Sequence, residues 1–274
     1  MQLKPASTAT SELVIFTVAD RRYEPFILPY IASCLTFNPT AFVEIGVEDA
    51  EAFRLSNQEA IDLLTNQFGD AFLIRNVTFI KGAPGSARFM NETNVRRRYL
   101  YIGDIDIFVL EEIAPKHIDK MAETGLPYSN IIRPGKHRLS GLHFTETDAF
   151  YPLDDFDGDV TRYDEVLLYE RVLKKGLPLP NKEETFRPLH GYHLSLNRRP
   201  TCAIGYSWSL QNWLVVAAFL TFTESGFWRD LFVLLDPKYK IVFALLDFIL
   251  ETKYPHEYEK LDRRWLLPKS LFSD

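Results

Sequence analysis

Leu13 to Val18 is a run of apolar and β-branched residues, and it stops at Ala19-Asp20. A short continuous run of this kind wants burial on both faces, which points to an interior strand. The pattern repeats. Pro25 opens an apolar helix through about Leu35, with proline at a first-turn position where it is tolerated. Ala41 to Val47 reads as a second strand, Asp49 to Phe68 has helical spacing, and Ala71 to Phe79 reads as a third strand. Ala87 to Asn94 reads as a short helix before another apolar run, Tyr99 to Leu110. Alternation of strands and helices predicts an α/β fold with a mostly parallel central sheet and flanking helices. In such sheets ligands sit beyond the carboxyl ends of the strands.

The run from Tyr99 to Leu110 is broken once, by Gly103-Asp104-Ile105-Asp106. Two ionised carboxylates among apolar side chains are costly unless compensated. Read as an extended strand, Asp104 and Asp106 face the same side and can share one hard cation. Asp20 also falls at a strand end, so the three acids share one expected cleft. An edge strand ending in two solvated acids is the plainer alternative. A haloacid-dehalogenase type of aspartate pair is disfavoured, because Phe108 stands where a small Thr or Val belongs.

The remainder constrains less. The 274 residues, 46% hydrophobic and 14% aromatic, allow a sizeable core. A net charge of -6 leaves no basic footprint for nucleic acid. Cys34 and Cys202 are far apart and have no metal-type spacing, which fits a reducing cytosol. The first ten residues lack a signal peptide's apolar region, and Trp213 to Phe222 is about half of a membrane span. The expected location is cytoplasmic.

The middle of the chain has turn signals at Arg133-Pro134-Gly135 and an acidic loop from Asp154 to Asp159. A helix is expected from about Tyr163 to Lys175, closed by Gly176 and Pro178. Beyond Pro200 the chain turns aromatic and helix-like, and Asp236-Pro237 splits the apolar run from Leu231 to Leu250. We read residues 1–204 as a catalytic and binding domain and 205–274 as a helical appendage on or beside it.

Several blocks in order carry a family likeness. Ile15-Phe16-Thr17-Val18-Ala19-Asp20-Arg21-Arg22-Tyr23, then Tyr30 and Ser33-Cys34-Leu35, resembles the opening of GT-A glycosyltransferases of the family 8 type, the lipopolysaccharide galactosyltransferase and glycogenin group. Ser86-Ala87-Arg88-Phe89 followed by Arg98 to Val109 is similar to that family's central block, an Arg at a helix start and an apolar strand into a DxD motif. Ser140-Gly141-Leu142 is similar to its small-Gly-apolar strand. His193 is followed six residues on by Arg199 and then Pro200, where the family has a metal-binding His, a Lys and a Pro. Leu196 replaces the family's glycine in that loop, and Arg is not a neutral exchange for Lys. The likeness covers about residues 13 to 200.

The resemblance implies roles. Thr17, Asp20 and Tyr23 would meet the nucleotide, with Tyr23 stacking on its base. Arg88 would approach the donor sugar or its diphosphate, and Arg199 the diphosphate. Asp104, Asp106 and His193 would hold Mn²⁺ or Mg²⁺, with His190 a competing ligand. Asp164 or Glu165 would contact the donor sugar or stabilise charge at its anomeric carbon. Apart from the resemblance, His137, Arg138 and His143 flank the Ser140-Gly141 turn, where they could meet an acceptor, an anionic one included, or lie as plain surface residues. The implied activity is metal-dependent transfer from a nucleotide sugar, a UDP-sugar, to a glycan or glycolipid hydroxyl, with retention.

Two other readings stand beside it. A nucleotidyltransferase on a related sheet carries a Gly-rich loop after the first strand, and Ala19-Asp20-Arg21-Arg22-Tyr23 has no glycine. A non-catalytic nucleotide-sugar-binding protein would keep the same cleft. Lys253, Lys260, Arg263 and Arg264 beside Trp265-Leu266-Leu267 suggest peripheral membrane contact, or a tail packed on the domain.

Overall fold

Four parallel strands form the heart of the molecule: β1 (Leu13–Ala19), β2 (Phe42–Val47), β3 (Phe72–Asn76) and β4 (Tyr99–Ile102). The computed structural model describes residues 12–135, 137–155, 163–194, 204–205, 213–259 and 261. Among these residues the main sheet has the order β3-β2-β1-β4, extended by antiparallel β7 (His143–Glu146) and β6 (Tyr128–Ser129). A second sheet joins β5 (Ile107–Val109), β8 (Gly191–Leu194) and β9 (Ile204–Gly205), all antiparallel. The fold is α/β, with a mostly parallel central sheet flanked by helices and followed by C-terminal helices.

Every residue of β1 is buried, as its unbroken apolar pattern requires. Glu24–Phe26 makes a 3₁₀ turn with Pro25 at its start, leading into α1 (Ile27–Phe37), which is buried over most of its surface. The stretch read as one helical run over 49–68 is two helices, α2 (Ala50–Ser56) and α3 (Gln58–Phe68). Asn57 breaks it, because its backbone leaves the helical region and its side-chain amide donates to Phe53 O at 2.8 Å. The third strand ends at Asn76, whose Oδ1 accepts from Ala50 N at 2.7 Å. The helix read over 87–94 lies earlier, as a 3₁₀ run from Pro84 to Phe89. Asn91 Nδ2 donates to Ala87 O at 2.8 Å just beyond it.

Asp104-Ile105-Asp106 is not extended. It is a turn, with Ile107 N donating to Asp104 O at 3.3 Å, and it carries the chain from β4 in the main sheet to β5 in the second. Helix α4 (Ala114–Thr124) follows and ends at Gly125, in the left-handed region at φ 69°. After β7 come α5 (Thr147–Phe150) and α6 (Asp164–Lys174), the latter closed by Gly176 at φ 68°.

The C-terminal helices are α7 (Trp213–Thr223), α8 (Gly226–Leu234), α9 (Pro237–Lys253) and α10 (Pro255–Tyr258). Asp236 caps α9 by accepting from Lys238 N at 2.7 Å, and Pro237 sits at its first position. These helices share one core with α1 and β5. The Phe108 ring meets Phe219, Phe222, Trp228 and Phe243 at centroid distances of 5.1–5.9 Å. Among the described residues, no helix is long and apolar enough to cross a membrane. Lys253 ends α9, and residues 262–274 of the basic and aromatic tail, with Lys260, lie outside the described residues.

Candidate metal centre and cleft

The β4-to-β5 turn and β8 bring together three side chains of metal-ligand type. β5 and β8 pair so that Ile107 faces His193, and Leu194 N donates to Asp106 O at 2.6 Å. His193 Nε2 lies 3.0 Å from Asp106 Oδ1. One ligand atom from each of Asp104, Asp106 and His193 falls within 4.8 Å of the others. Gly191 allows the close pairing: a Cβ there would stand 1.8 Å from Phe108 O. The donor set of two carboxylates and an imidazole suits Mn²⁺ as well as Mg²⁺, and the spacing is short enough for one ion to span it.

The turn is held from below. Thr17, fully buried on β1, donates its hydroxyl to Gly103 O at 2.9 Å. Arg88, at the end of the 3₁₀ run, donates to the same carbonyl at 2.9 Å and to the carboxylates of Asp104 and Asp164. Thr17 therefore meets the site through the turn, whereas Arg88 faces the cleft directly. Burial would push the Asp104 carboxyl up, but Arg88 and His193 outweigh it and hold its pKa down to about 2. Burial would likewise lower the Arg88 pKa, and Asp104 with Asp164 raise it instead, so the guanidinium stays charged.

These groups line a cleft of about 920 Å³ at the carboxyl ends of β1 and β4. Asp20 and Tyr23 stand at one part of its wall, with Asp20 Oδ1 accepting from Tyr23 N at 3.2 Å. The triad, Arg88 and Asp164 stand at another, and the exposed ring of Tyr163 reaches the lip. Gly141 passes so close that a Cβ would lie 2.6 Å from Arg88 Nη2.

Other expected residues lie elsewhere. The Glu165 carboxylate sits 3.3 Å from Arg138 and 3.7 Å from Arg133, away from the cleft. The His137 ring stacks on Tyr169, His143 is fully buried between Tyr128 and Phe150, and neither lines the cleft. His190 stands apart from the cluster of Asp104, Asp106 and His193. It is buried, with its ring engaged by Glu111 and His117. Arg199, Leu196 and Pro200 lie outside the described residues. The sequence reading missed Arg187, whose Nε donates to Ser140 Oγ at 2.7 Å and whose charge helps hold Asp104 ionised. No local pattern marks that arginine.

No protein-family model matches the chain, and no curated protein matches it. Among solved structures it is similar to the glycosyltransferase GlyE of Streptococcus pneumoniae TIGR4. That likeness has 13% identity and a TM-score of 0.38 over 51% of this chain and 35% of that one. The apo-form of GlyE matches at 11% identity and a TM-score of 0.35, over 60% of this chain and 37% of that one. The chain thus spans little more than a third of the length of these neighbours.

Proposed function

We propose that this chain is a metal-dependent glycosyltransferase of GT-A type, moving a sugar from a nucleotide sugar to a glycan or glycolipid hydroxyl. The observation that carries the reading is the convergence of Asp104, Asp106 and His193 at the strand ends, in one cleft with Asp20, Tyr23, Arg88 and Asp164. The donor is read as a UDP-sugar and the outcome as retention, both on the family likeness in the sequence.

Asp104, Asp106 and His193 would hold a divalent ion, which would supply charge neutralisation for a departing diphosphate. Tyr23 stacks on the base, a contact worth about 1 to 3 kcal/mol, and Asp20 accepts from it. Arg88 presents a fixed positive charge to the donor, and such preorganised charge favours leaving-group departure. Arg199 is assigned to the diphosphate by the sequence likeness alone. Of the two acids at the start of α6, Asp164 is assigned to the donor sugar, since it lines the cleft and Glu165 does not.

The test is release of product from a panel of nucleotide sugars with Mn²⁺. Release of UDP supports the transferase. Release of sugar 1-phosphate, the leaving group when a nucleotidyl group is transferred from a nucleotide sugar, supports a nucleotidyltransferase instead, and binding without product supports a non-catalytic protein. Asp104→Ala and Asp106→Ala are each expected to abolish transfer while circular dichroism shows an intact fold. Turnover near wild type in a folded double variant would sink the mechanism.

A further inference from the structure

A second acid–histidine pair lies at the far end of the ladder that holds the metal ligands. Asp106 and His193 meet at one end of the β5–β8 pairing, at 3.0 Å. At the other end, where Leu110 N donates to His190 O at 2.7 Å, the Glu111 carboxylate lies 3.0 Å from His190 Nδ1. His190 Nε2 is 2.9 Å from His117 Nε2 on α4, and His117 Nδ1 is 3.0 Å from Ser129 Oγ on β6.

The carboxylate sets the direction of the whole chain of hydrogen bonds. Glu111 can only accept, so His190 Nδ1 donates to it. Burial lowers the pKa of both histidines and keeps them neutral. His190 Nε2 therefore accepts from His117 Nε2, and His117 Nδ1 accepts from the Ser129 hydroxyl. Each ring is held in one tautomer and one orientation.

The chain touches both segments that carry metal ligands. His190 has φ of 60°, a left-handed backbone costly for a residue with a Cβ, and it leads directly into β8. The Tyr101 ring on β4 packs against both histidines, at 5.9 Å and 5.8 Å. The same ring would lie 2.7 Å from a Cβ at Gly103, where the aspartate turn begins. His117 is stacked on Phe144 of β7 at 4.8 Å, with the two rings nearly parallel. None of Glu111, His190 or His117 lines the cleft.

We propose that Glu111, His190 and His117 are positioning residues that set β8 against the aspartate turn, so that the cation affinity of the cleft depends on side chains that never touch the cation. This rests on the reading of Asp104, Asp106 and His193 as a metal centre. Groups bonded directly to metal ligands typically change affinity by about 10–100-fold when removed, and these three act one contact further out, through β8 and the Tyr101 ring.

The experiment is titration of the whole protein with Mn²⁺ alone, followed by calorimetry or by the electron paramagnetic resonance of the free ion. Glu111→Ala should weaken Mn²⁺ binding by about tenfold, and Glu111→Gln, which still accepts from His190, should restore most of it. His190→Gly suits the left-handed backbone but removes the ring, and it should weaken binding as much as Glu111→Ala. Leu64→Ala, a buried change on α3 outside the hydrogen-bonded chain of Glu111, His190, His117 and Ser129, should lower thermal stability and leave affinity unchanged. Wild-type affinity in folded Glu111→Ala and His190→Gly overturns the proposal and leaves the metal centre standing. Loss of affinity in Leu64→Ala equal to that in Glu111→Ala also overturns it, since stability alone would then explain the effect. Wild-type protein that binds no Mn²⁺ overturns the metal reading, and the proposal with it.

Discussion

Arg88 is the residue on which the cleft's electrostatics turn. It is 7% exposed and grips carboxylates from the aspartate turn and from the start of α6. A charge so placed interacts far more strongly than in water. Removing it leaves two partly buried carboxylates facing one another. Arg88→Ala is expected to cut donor turnover by about 10²–10³-fold, the scale seen when one preorganised stabilising donor is lost. Steady-state kinetics would check this. The same change acts on stability in acid. The depressed Asp104 carboxyl contributes stability that is present above its unfolded pKa of about 3.9 and is lost as pH falls toward about 2. Without Arg88 that contribution disappears, so the acid limb of a urea-midpoint profile should move to higher pH. At this scale the sequence was readable where chemistry is costly: Asp104 and Asp106 stand out among apolar neighbours. Glu44 and Arg187 did not. Glu44 is fully buried in β2 and is satisfied by Arg75 at 2.5 Å and by the amides of Asn94 and Val95. Those partners lie 31 to 51 residues away, where no local pattern reaches.

At the scale of elements, the β5–β8 ladder is the joint of the site. Its three residue pairs align Asp106 with His193, and Gly191 sits where Phe108 O leaves no room for a side chain. Gly191→Ala must push the strands apart. We expect a loss of at least about 1–3 kcal/mol, the usual cost of overpacking, read from chemical denaturation, together with weaker Mn²⁺ binding. Helices and strands with strong periodicity were legible: β1, α1 and α6 fall where the pattern placed them, and the break read at Asp236-Pro237 is where α9 begins. The extended geometry expected for Asp104-Ile105-Asp106 was not. Whether an apolar run continues or turns into another sheet depends on what pairs with its second half. Here that partner is β8, more than 80 residues downstream.

Across the whole molecule, the C-terminal helices and the second sheet share an aromatic core centred on Trp228, which is fully buried. Trp228→Ala is expected to cost about 3–5 kcal/mol, measured as a shift in the unfolding midpoint. Buried histidines give the molecule an acid liability. Burial pushes the His143 pKa down to about 3 and lowers that of His117 well below its usual value. In the unfolded chain both titrate near the ordinary value of about 6.5, so below that pH the unfolded state binds more protons. Stability is therefore fully present above about pH 6.5 and declines as pH falls toward 3. His143→Phe should flatten part of that slope in urea midpoints taken between pH 7 and pH 4.

The sequence by itself determined the α/β class, the parallel run of strands and the two aspartates that need a countercharge. Those features rest on short-range pattern, on the spacing of apolar residues, and on the cost of placing a carboxylate among them. Only the tertiary structure decided that the aspartates sit in a turn between two sheets, that His193 and not His190 faces them, and that Asp164 reaches the cleft while Glu165 turns to Arg133 and Arg138. The physical reason is that each of these is a choice between partners distant in sequence. His190 and His193 are three residues apart and chemically alike. What separates them is a left-handed backbone at His190 and the carboxylate, Glu111 or Asp106, that the folded ladder brings to each.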